Sequence, residues 1–333
     1  MQPIYLTGHS RPVRKVMFNF DGDMLFTCSD DGKVCMYNSF DCQRVGVFNV
    51  KEAVKSIDVT KNTKYLLASS TTQGFCLFDV MNGDLKSKIT LPRQNIQVKY
   101  VEFALGDEQF LVVYEHAKRS YIRIQDLASA LRGDANPDGV LEIEGPKDHI
   151  ITQASWGPLN NSLYVSTDKG RFMIYDFVQK DFIISEDLHK LEIFSFTITY
   201  DHTMLITCSK DGYAKLLNPR TLEVVREFAF VKPCRSAVIS PLFDSTENQK
   251  FHVLLAGGQD ARDVTTTKTT EGGFEIKLMN IIFNQSLAEI LGHFGTVHTL
   301  AFSPDGVNFA SGSEDGYVHF HKMLPEYFTK KFE

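Results

Sequence analysis

Along residues 291–322, LGHFGTVHTLAFSPDGVNFASGSEDGYVHFHK, apolar and polar positions alternate in short runs broken by turn dipeptides. Val297, Leu300 and Phe302 predict one strand, residues 309–313 a second and residues 317–321 a third, with Asp305-Gly306 and Asp315-Gly316 as the turns between them. A Gly-His pair opens the unit, which reads as four strands in all, and residues 288–291 precede that pair. A unit of four short strands cannot bury both of its faces alone. It must stack against similar units around a closed ring.

Earlier copies of the unit are found by spacing. His293, Asp305 and Asp315 are separated by 12 and 10 residues, and the same steps recur at His9, Asp21, Asp31 and at His189, Asp201, Asp211. The apolar phase recurs too: Val13, Val16 and Phe18 correspond to Ile193, Phe196 and Ile198. Gly32, Gly212 and Gly316 follow the second aspartate, where a tight turn calls for positive φ. The third strand ends at Asn38, Asp79, Asp126, Asp176, Asn218, Asn280 and Lys322, at steps of 41, 47, 50, 42, 62 and 42 residues. This pattern resembles the WD40 repeat, which implies an all-β fold, a seven-bladed β-propeller. Residues 2–7 precede the first Gly-His as residues 288–291 precede the last. They are therefore expected to form the outer strand of the final blade and close the ring, hiding edges that would invite aggregation.

Some copies are worn. Thr72, Arg119 and Lys169 stand where the turn aspartate belongs in repeats two to four, and a hydrophilic stretch, 133–145, follows the third strand of repeat three. The longest insertion lies between the second and third strands of repeat six. Its Thr265, Thr266, Thr267, Thr269 and Thr270 suit extended backbone, so a projecting hairpin or loop is expected. Residues 1–322 read as one propeller. Residues 323–333 read as a tail that folds back on it through Tyr327, Phe328 and Phe332.

Composition changes the picture little. The net charge is −6 and the pI near 5.9, with no long Lys/Arg run, so neither a general affinity for phosphate backbones nor sequence-specific nucleic-acid binding is expected. No apolar run approaches the roughly 20 residues of a membrane helix, and the start lacks a leader pattern, so a cytoplasmic protein is expected. The six cysteines never form CxxC. Cys28 and Cys208 share one strand slot, so buried free thiols are expected.

His9 with Asp31, His189 with Asp211 and His293 with Asp315 have the residue types of a general base and its orienter. A constellation repeated in equivalent units cannot be a single active site, however, and in WD40 proteins these residues join a strand Ser/Thr and a Trp in a buried hydrogen-bonded tetrad. The hydroxyl member is Thr27, Thr207 or Ser311, with Ser29, Ser209 and Ser313 as the other choice; the Trp slot holds Tyr37, Leu217 and His321. His319 and His321 alternate on one strand without a third ligand nearby, so core packing rather than a metal is expected. Gly257-Gly258 and Gly272-Gly273 read as turn and bulge glycines, since no phosphate-loop spacing is present. Trp156, the lone tryptophan, reads as core. No catalytic residue, cofactor or metal is expected.

Residues 257–280, GGQDARDVTTTKTTEGGFEIKLMN, closely resemble the insertion that marks the i-subunit family of eukaryotic translation initiation factor 3. The opening MQPIYLTGHSRPVRKVMFNFDGDMLF, the segment 154–158 and the EYF tail are similar to that family at matching places. The resemblance implies a non-catalytic scaffold in the factor that helps load initiator tRNA and mRNA onto the small ribosomal subunit. It implies that the propeller receives the C-terminal helical segment of the b subunit along one side, touches the g subunit, and reaches the ribosome through the complex. The family meets the b subunit through acidic positions on the fifth blade, which fall here on Asp201 and Asn218; Asp201 keeps the charge and Asn218 does not. The alternative is a different WD40 adaptor, such as a substrate-recruiting subunit of a ubiquitin ligase. The Thr-rich insertion speaks against it.

Overall fold

The structure, a computed structural model, describes residues 3–135, 139–230, 232–245, 249–259 and 274–329. Seven four-stranded antiparallel sheets form a ring. In blade one the strands Val13–Phe18, Met24–Ser29, Lys33–Asn38 and Arg44–Asn49 run in order from the central axis outward. The inner strands of blades two to seven are Ile57–Val59, Gln97–Phe103, Ile151–Trp156, Ile193–Ile198, Cys234–Ile239 and Val297–Phe302.

The strand pattern follows from what each strand touches. Second and third strands, such as Tyr65–Ser70 and Gly74–Asp79, are covered on both faces by neighbouring sheets and read as almost unbroken apolar runs. Outer strands, such as Val224–Ala229, are largely exposed, with Phe228 turned into the core. The core lies between blades. Phe26, Val34, Met36 and Phe48 of blade one interleave with Leu66, Cys76 and Phe78 of blade two, and Phe75 and Leu77 of blade two with Val101, Phe110 and Val112 of blade three. Burying a side chain of this size is worth about 1.5–3 kcal/mol, so each blade depends on its neighbours.

Ile4–Leu6 pairs antiparallel with the third strand of blade seven, Val318–Lys322, in the register Ile4↔Phe320, Tyr5↔His319 and Leu6↔Val318. Leu6 is buried with Val13, Val16 and Phe320, so the first strand of the chain completes the last blade and packs on the first. Residue 2, part of the expected strand, lies outside the described residues. That third strand starts one residue later than its pattern suggested: Tyr317 sits in the turn, where its N–H donates to Asp315 Oδ1 at 2.9 Å. The hydrophilic stretch after blade three contains that blade's outer strand, Leu141–Glu144.

Inner strands are also tied to one another by side chains. Thr299 Oγ1 accepts from Val16 N at 3.1 Å, Ser236 Oγ from Leu300 N at 3.0 Å, Gln153 Oε1 from Phe196 N at 3.1 Å, and Ser56 Oγ from Val101 N at 3.3 Å. In each case one blade satisfies a backbone N–H of the next. The tail forms a short helix, Pro325–Thr329, whose buried Tyr327 packs with Phe309 and Leu278 and places its hydroxyl 3.0 Å from His252 Nδ1. Phe328 is partly buried there, and Phe332 lies outside the described residues. The insertion of blade six lies in sequence between His252–Gly257 and Ile276–Asn280; its five threonines and Gly272-Gly273, and so the expected hairpin or loop, lie outside the described residues.

Deletion of residues 1–7 removes three paired positions and the buried Leu6, and opens an edge on blade seven. The expected result is a melting temperature lower by about 5–10 °C in differential scanning fluorimetry. A truncated protein that melts like the full chain would show that the closure carries no stability.

Candidate interaction site and the turns behind it

At the turn between second and third strands, three blades repeat one arrangement. His9 Nδ1 lies 3.1 Å from Asp31 Oδ2 and its Nε2 lies 2.8 Å from Thr27 Oγ1. His189 repeats this with Asp211 and Thr207 at 3.0 and 2.8 Å, and His293 with Asp315 and Ser311 at 3.2 and 2.8 Å. Each aspartate also accepts two backbone N–H groups, for Asp31 those of Ser10 and Lys33. Lys190 and Tyr213 serve Asp211, and Phe294 and Tyr317 serve Asp315. The following glycines have φ near +80°, and a Cβ on Gly32 would press on the backbone of residues 51 and 52.

Of the two hydroxyl choices, Thr27, Thr207 and Ser311 meet the histidines. Ser29, Ser209 and Ser313 hold the turn instead, donating to the carbonyls of Arg11, Leu191 and Gly295. Burial draws His9 and His189 below the usual histidine range against the pull of their aspartates. Burial alone would raise Asp211 and Asp315, yet the histidine contacts and turn amides hold both below the usual carboxylate range. With Nδ1 on the aspartate and Nε2 on the hydroxyl, both ring nitrogens of each histidine are already engaged inside the blade, leaving neither for a substrate. In the Trp slot, Tyr37 donates its hydroxyl to Thr7 O at 3.2 Å, Leu217 packs as core, and His321 has no hydrogen-bond partner at either nitrogen among the described residues.

The worn blades use other groups, which the sequence pattern did not single out. Glu52 accepts from Ser70 Oγ and Thr72 Oγ1, both at 2.7 Å, doing the work of the absent turn aspartate in blade two. In blade three the buried Arg123 is held by Gln125 Oε1 and the carbonyl of Ala135. Between blades two, three and four, Asp58 accepts from Phe103 N at 2.6 Å. Glu102 accepts from Ser155 Oγ at 2.7 Å, Trp156 N at 3.2 Å and Tyr100 Oη at 2.9 Å. Burial and the neighbouring Asp58 push Glu102 up to about 7. This is a single-copy pair of carboxylates, but each is spent on the next blade's inner strand, as Ser56 and Thr299 are elsewhere.

Asp201 and Asn218 come to the same end of blade five, the end opposite the His-Asp turns. Asp201 is exposed, and its Oδ1 accepts from Thr203 N and Thr203 Oγ1 at 3.0 and 2.9 Å, so the carboxylate shapes its own hairpin as well as facing solvent. Asn218 is half-buried, with Oδ1 accepting from Arg220 N at 2.9 Å. Elsewhere, His319 and His321 are buried, one stacked on His293 at 3.6 Å and the other on Phe309 at 4.3 Å. Among the described residues no cluster of three or more His, Cys, Asp or Glu has metal-binding geometry. Gly258 has φ +136°, and among the described residues the next element after it is the strand Ile276–Asn280. Trp156 is buried in the core between blades three and four. The six cysteines are free thiols; five are buried, and Cys208 and Cys234 lie with sulfurs 3.4 Å apart.

The ring, its repeated triads and its rigid loop-bearing ends define a WD40-type β-propeller. A solved structure, the β-propeller domain of Cps50 (Swd1) from Myceliophteria thermophila, superposes with a TM-score of 0.76 over 97% of this chain and 100% of that one, at 16% identity, which speaks to fold alone. The EIF3I family model matches residues 1–333. Eukaryotic translation initiation factor 3 subunit I of Dictyostelium discoideum is 34% identical over 331 residues, covering 98% of this chain and 96% of that protein; the Homo sapiens protein of the same name is 33% identical over the full length of both. The chain belongs to the family of eukaryotic translation initiation factor 3 subunit I, which gives it a role in translation initiation.

Two outcomes follow from the buried polar groups. Asp31→Ala, Asp211→Ala and Asp315→Ala each orphan an imidazole and two amides, so urea unfolding should register a loss of about 1–3 kcal/mol apiece; three unchanged midpoints would refute this. Burial also holds His252 and His319 down to about 4 and His321 to about 3. Because the folded state binds fewer protons there than the unfolded state, the associated stability is present above about pH 6.5. It is lost as pH falls toward about 4, each histidine costing up to about 1.4 kcal/mol per pH unit. His321→Leu, which takes the residue blade five has in this slot, should flatten that acid limb; a variant as acid-sensitive as the parent contradicts the assignment.

Proposed function

We propose that the chain is a non-catalytic, cytoplasmic scaffold in translation initiation factor 3, holding the b and g subunits and supporting initiation on the small ribosomal subunit through the complex. The observation that carries this reading is the full-length membership of the subunit I family. The geometry supports it. The His-Asp pairs that resemble catalytic machinery are consumed in three equivalent turns, while a closed ring of seven sheets presents loops from every blade. The helix of the b subunit docks at the end of blade five that carries Asp201 and Asn218, with Asp201 as its charged contact. Asn218, neutral and engaged with Arg220 N, contributes shape and hydrogen bonding there.

Affinity purification of the tagged chain tests the assignment: the b and g subunits and small ribosomal subunits should co-purify, and their absence would remove it. For the docking itself, Asp201→Lys should weaken binding of a peptide from the C-terminal segment of the b subunit at least tenfold, about 1.4 kcal/mol. Asp201→Asn keeps an acceptor for Thr203 and removes only the charge. It should show most of that loss with an unchanged melting temperature, and parental affinity in both variants would dismiss this site.

A further inference from the structure

We infer that the mouth of the central channel on the Asp201 side is a docking surface for a basic peptide segment that carries an aromatic side chain. The hairpin turns that follow the inner strands meet there. Phe20 in the turn of blade one and Tyr200 in the turn of blade five have ring centroids 6.1 Å apart. Blades one and five are not neighbours in the ring, so this contact spans the mouth. Both rings face water, Phe20 at 47% and Tyr200 at 77% exposure, and Leu105 and Leu159 on the turns of blades three and four are exposed as well. Scattered apolar residues are ordinary on a surface, but four of them converging on one opening are not.

The turns that carry these side chains are braced. Leu105 N donates to Asn160 Oδ1 at 3.0 Å, Asn160 Nδ2 donates to Leu105 O at 2.8 Å, and Lys61 N donates to Asp107 Oδ2 at 2.8 Å. Little ordering is left for a guest to impose. Charge decides which guest. Exposed Asp21 and Asp305 stand on the turns of blades one and seven, and neither makes an ion pair with a cation among the described residues. Asp305 accepts only from Ser303 Oγ and Val307 N among them. The ammonium of Lys61 already lies 4.2 Å over the Phe20 ring, an internal example of the cation–π contact that an arginine of the guest would make on Tyr200. A polyanion meets carboxylates here, and a purely apolar helix would cover them unpaired.

The surface adjoins Asp201 but uses residues of blades one and seven that the proposed docking of the b subunit does not. The test uses the full chain and a fluorescein-labelled hexapeptide of alternating arginine and tryptophan, followed by anisotropy at low salt, beside the same peptide with glutamate for arginine and with serine for tryptophan. Only the first should bind measurably. Phe20→Ser with Tyr200→Ser should weaken it at least fivefold, and Asp21→Asn with Asp305→Asn at least threefold with a shallower salt dependence. The latter pair, which leaves both rings in place, should bind the peptide from the b subunit like the parent. Equal binding of the arginine and glutamate peptides, or parental affinity in both double variants, overturns the inference whatever the fate of the Asp201 site.

Discussion

Seven separate sheets hold together as one molecule only if the inner strand of each blade is fastened to the next. Among the described residues no strand-to-strand ladder crosses the junctions, so side chains must do it. Thr299, Ser236, Gln153 and Ser56 each satisfy a backbone N–H on the following blade, and Glu102 does the same for Trp156. An unsatisfied buried N–H costs on the order of 1–3 kcal/mol, so these contacts are obligatory. The apolar clusters between sheets then add affinity without direction, and the stitches set how far one blade turns relative to its neighbour.

The same requirement explains how blades two to four survive without the His-Asp turn. What must be satisfied is the polar backbone of the turn and of the inner strand. Any acceptor placed there will do. Glu52 reaches Ser70 and Thr72 from a different position in the loop than His9 occupies, and Asp58 with Glu102 replace hydroxyls by carboxylates. Glu102 sits high enough to be protonated near neutrality because burial and Asp58 both disfavour its charge. Its retention beside Ser155 and Trp156 reflects the bonds it makes to blade four.

This division also sets what could be read in the amino-acid order. The repeat made the ring, the blade number and the closing strand legible, because Asp-Gly turns and the 12- and 10-residue steps are local signals. The triad could be narrowed only to two hydroxyl sets, since residues two apart on a strand point to the same face and spacing cannot separate Thr27 from Ser29. Glu52 and the stitches were invisible for a different reason: their partners lie on another strand or blade, and nothing in their own spacing points to them. Asp201 was legible as an exposed turn residue. Its bonds to Thr203, and the approach of Tyr200 to Phe20 from a blade far away in the chain, were not.

The two ends of the ring are therefore built on different terms. At the end of the His-Asp turns, carboxylates face imidazoles and pairs of backbone amides, and their charge is used inside the blade. At the other end Asp201 accepts from the hydroxyl and N–H of Thr203, and Asp305 from the hydroxyl of Ser303 and the N–H of Val307, contacts that fix each turn while both residues stay exposed. A partner approaching the first end meets groups already satisfied. One approaching the second meets carboxylates around exposed aromatic rings on braced turns, an arrangement suited to recognition by charge and stacking.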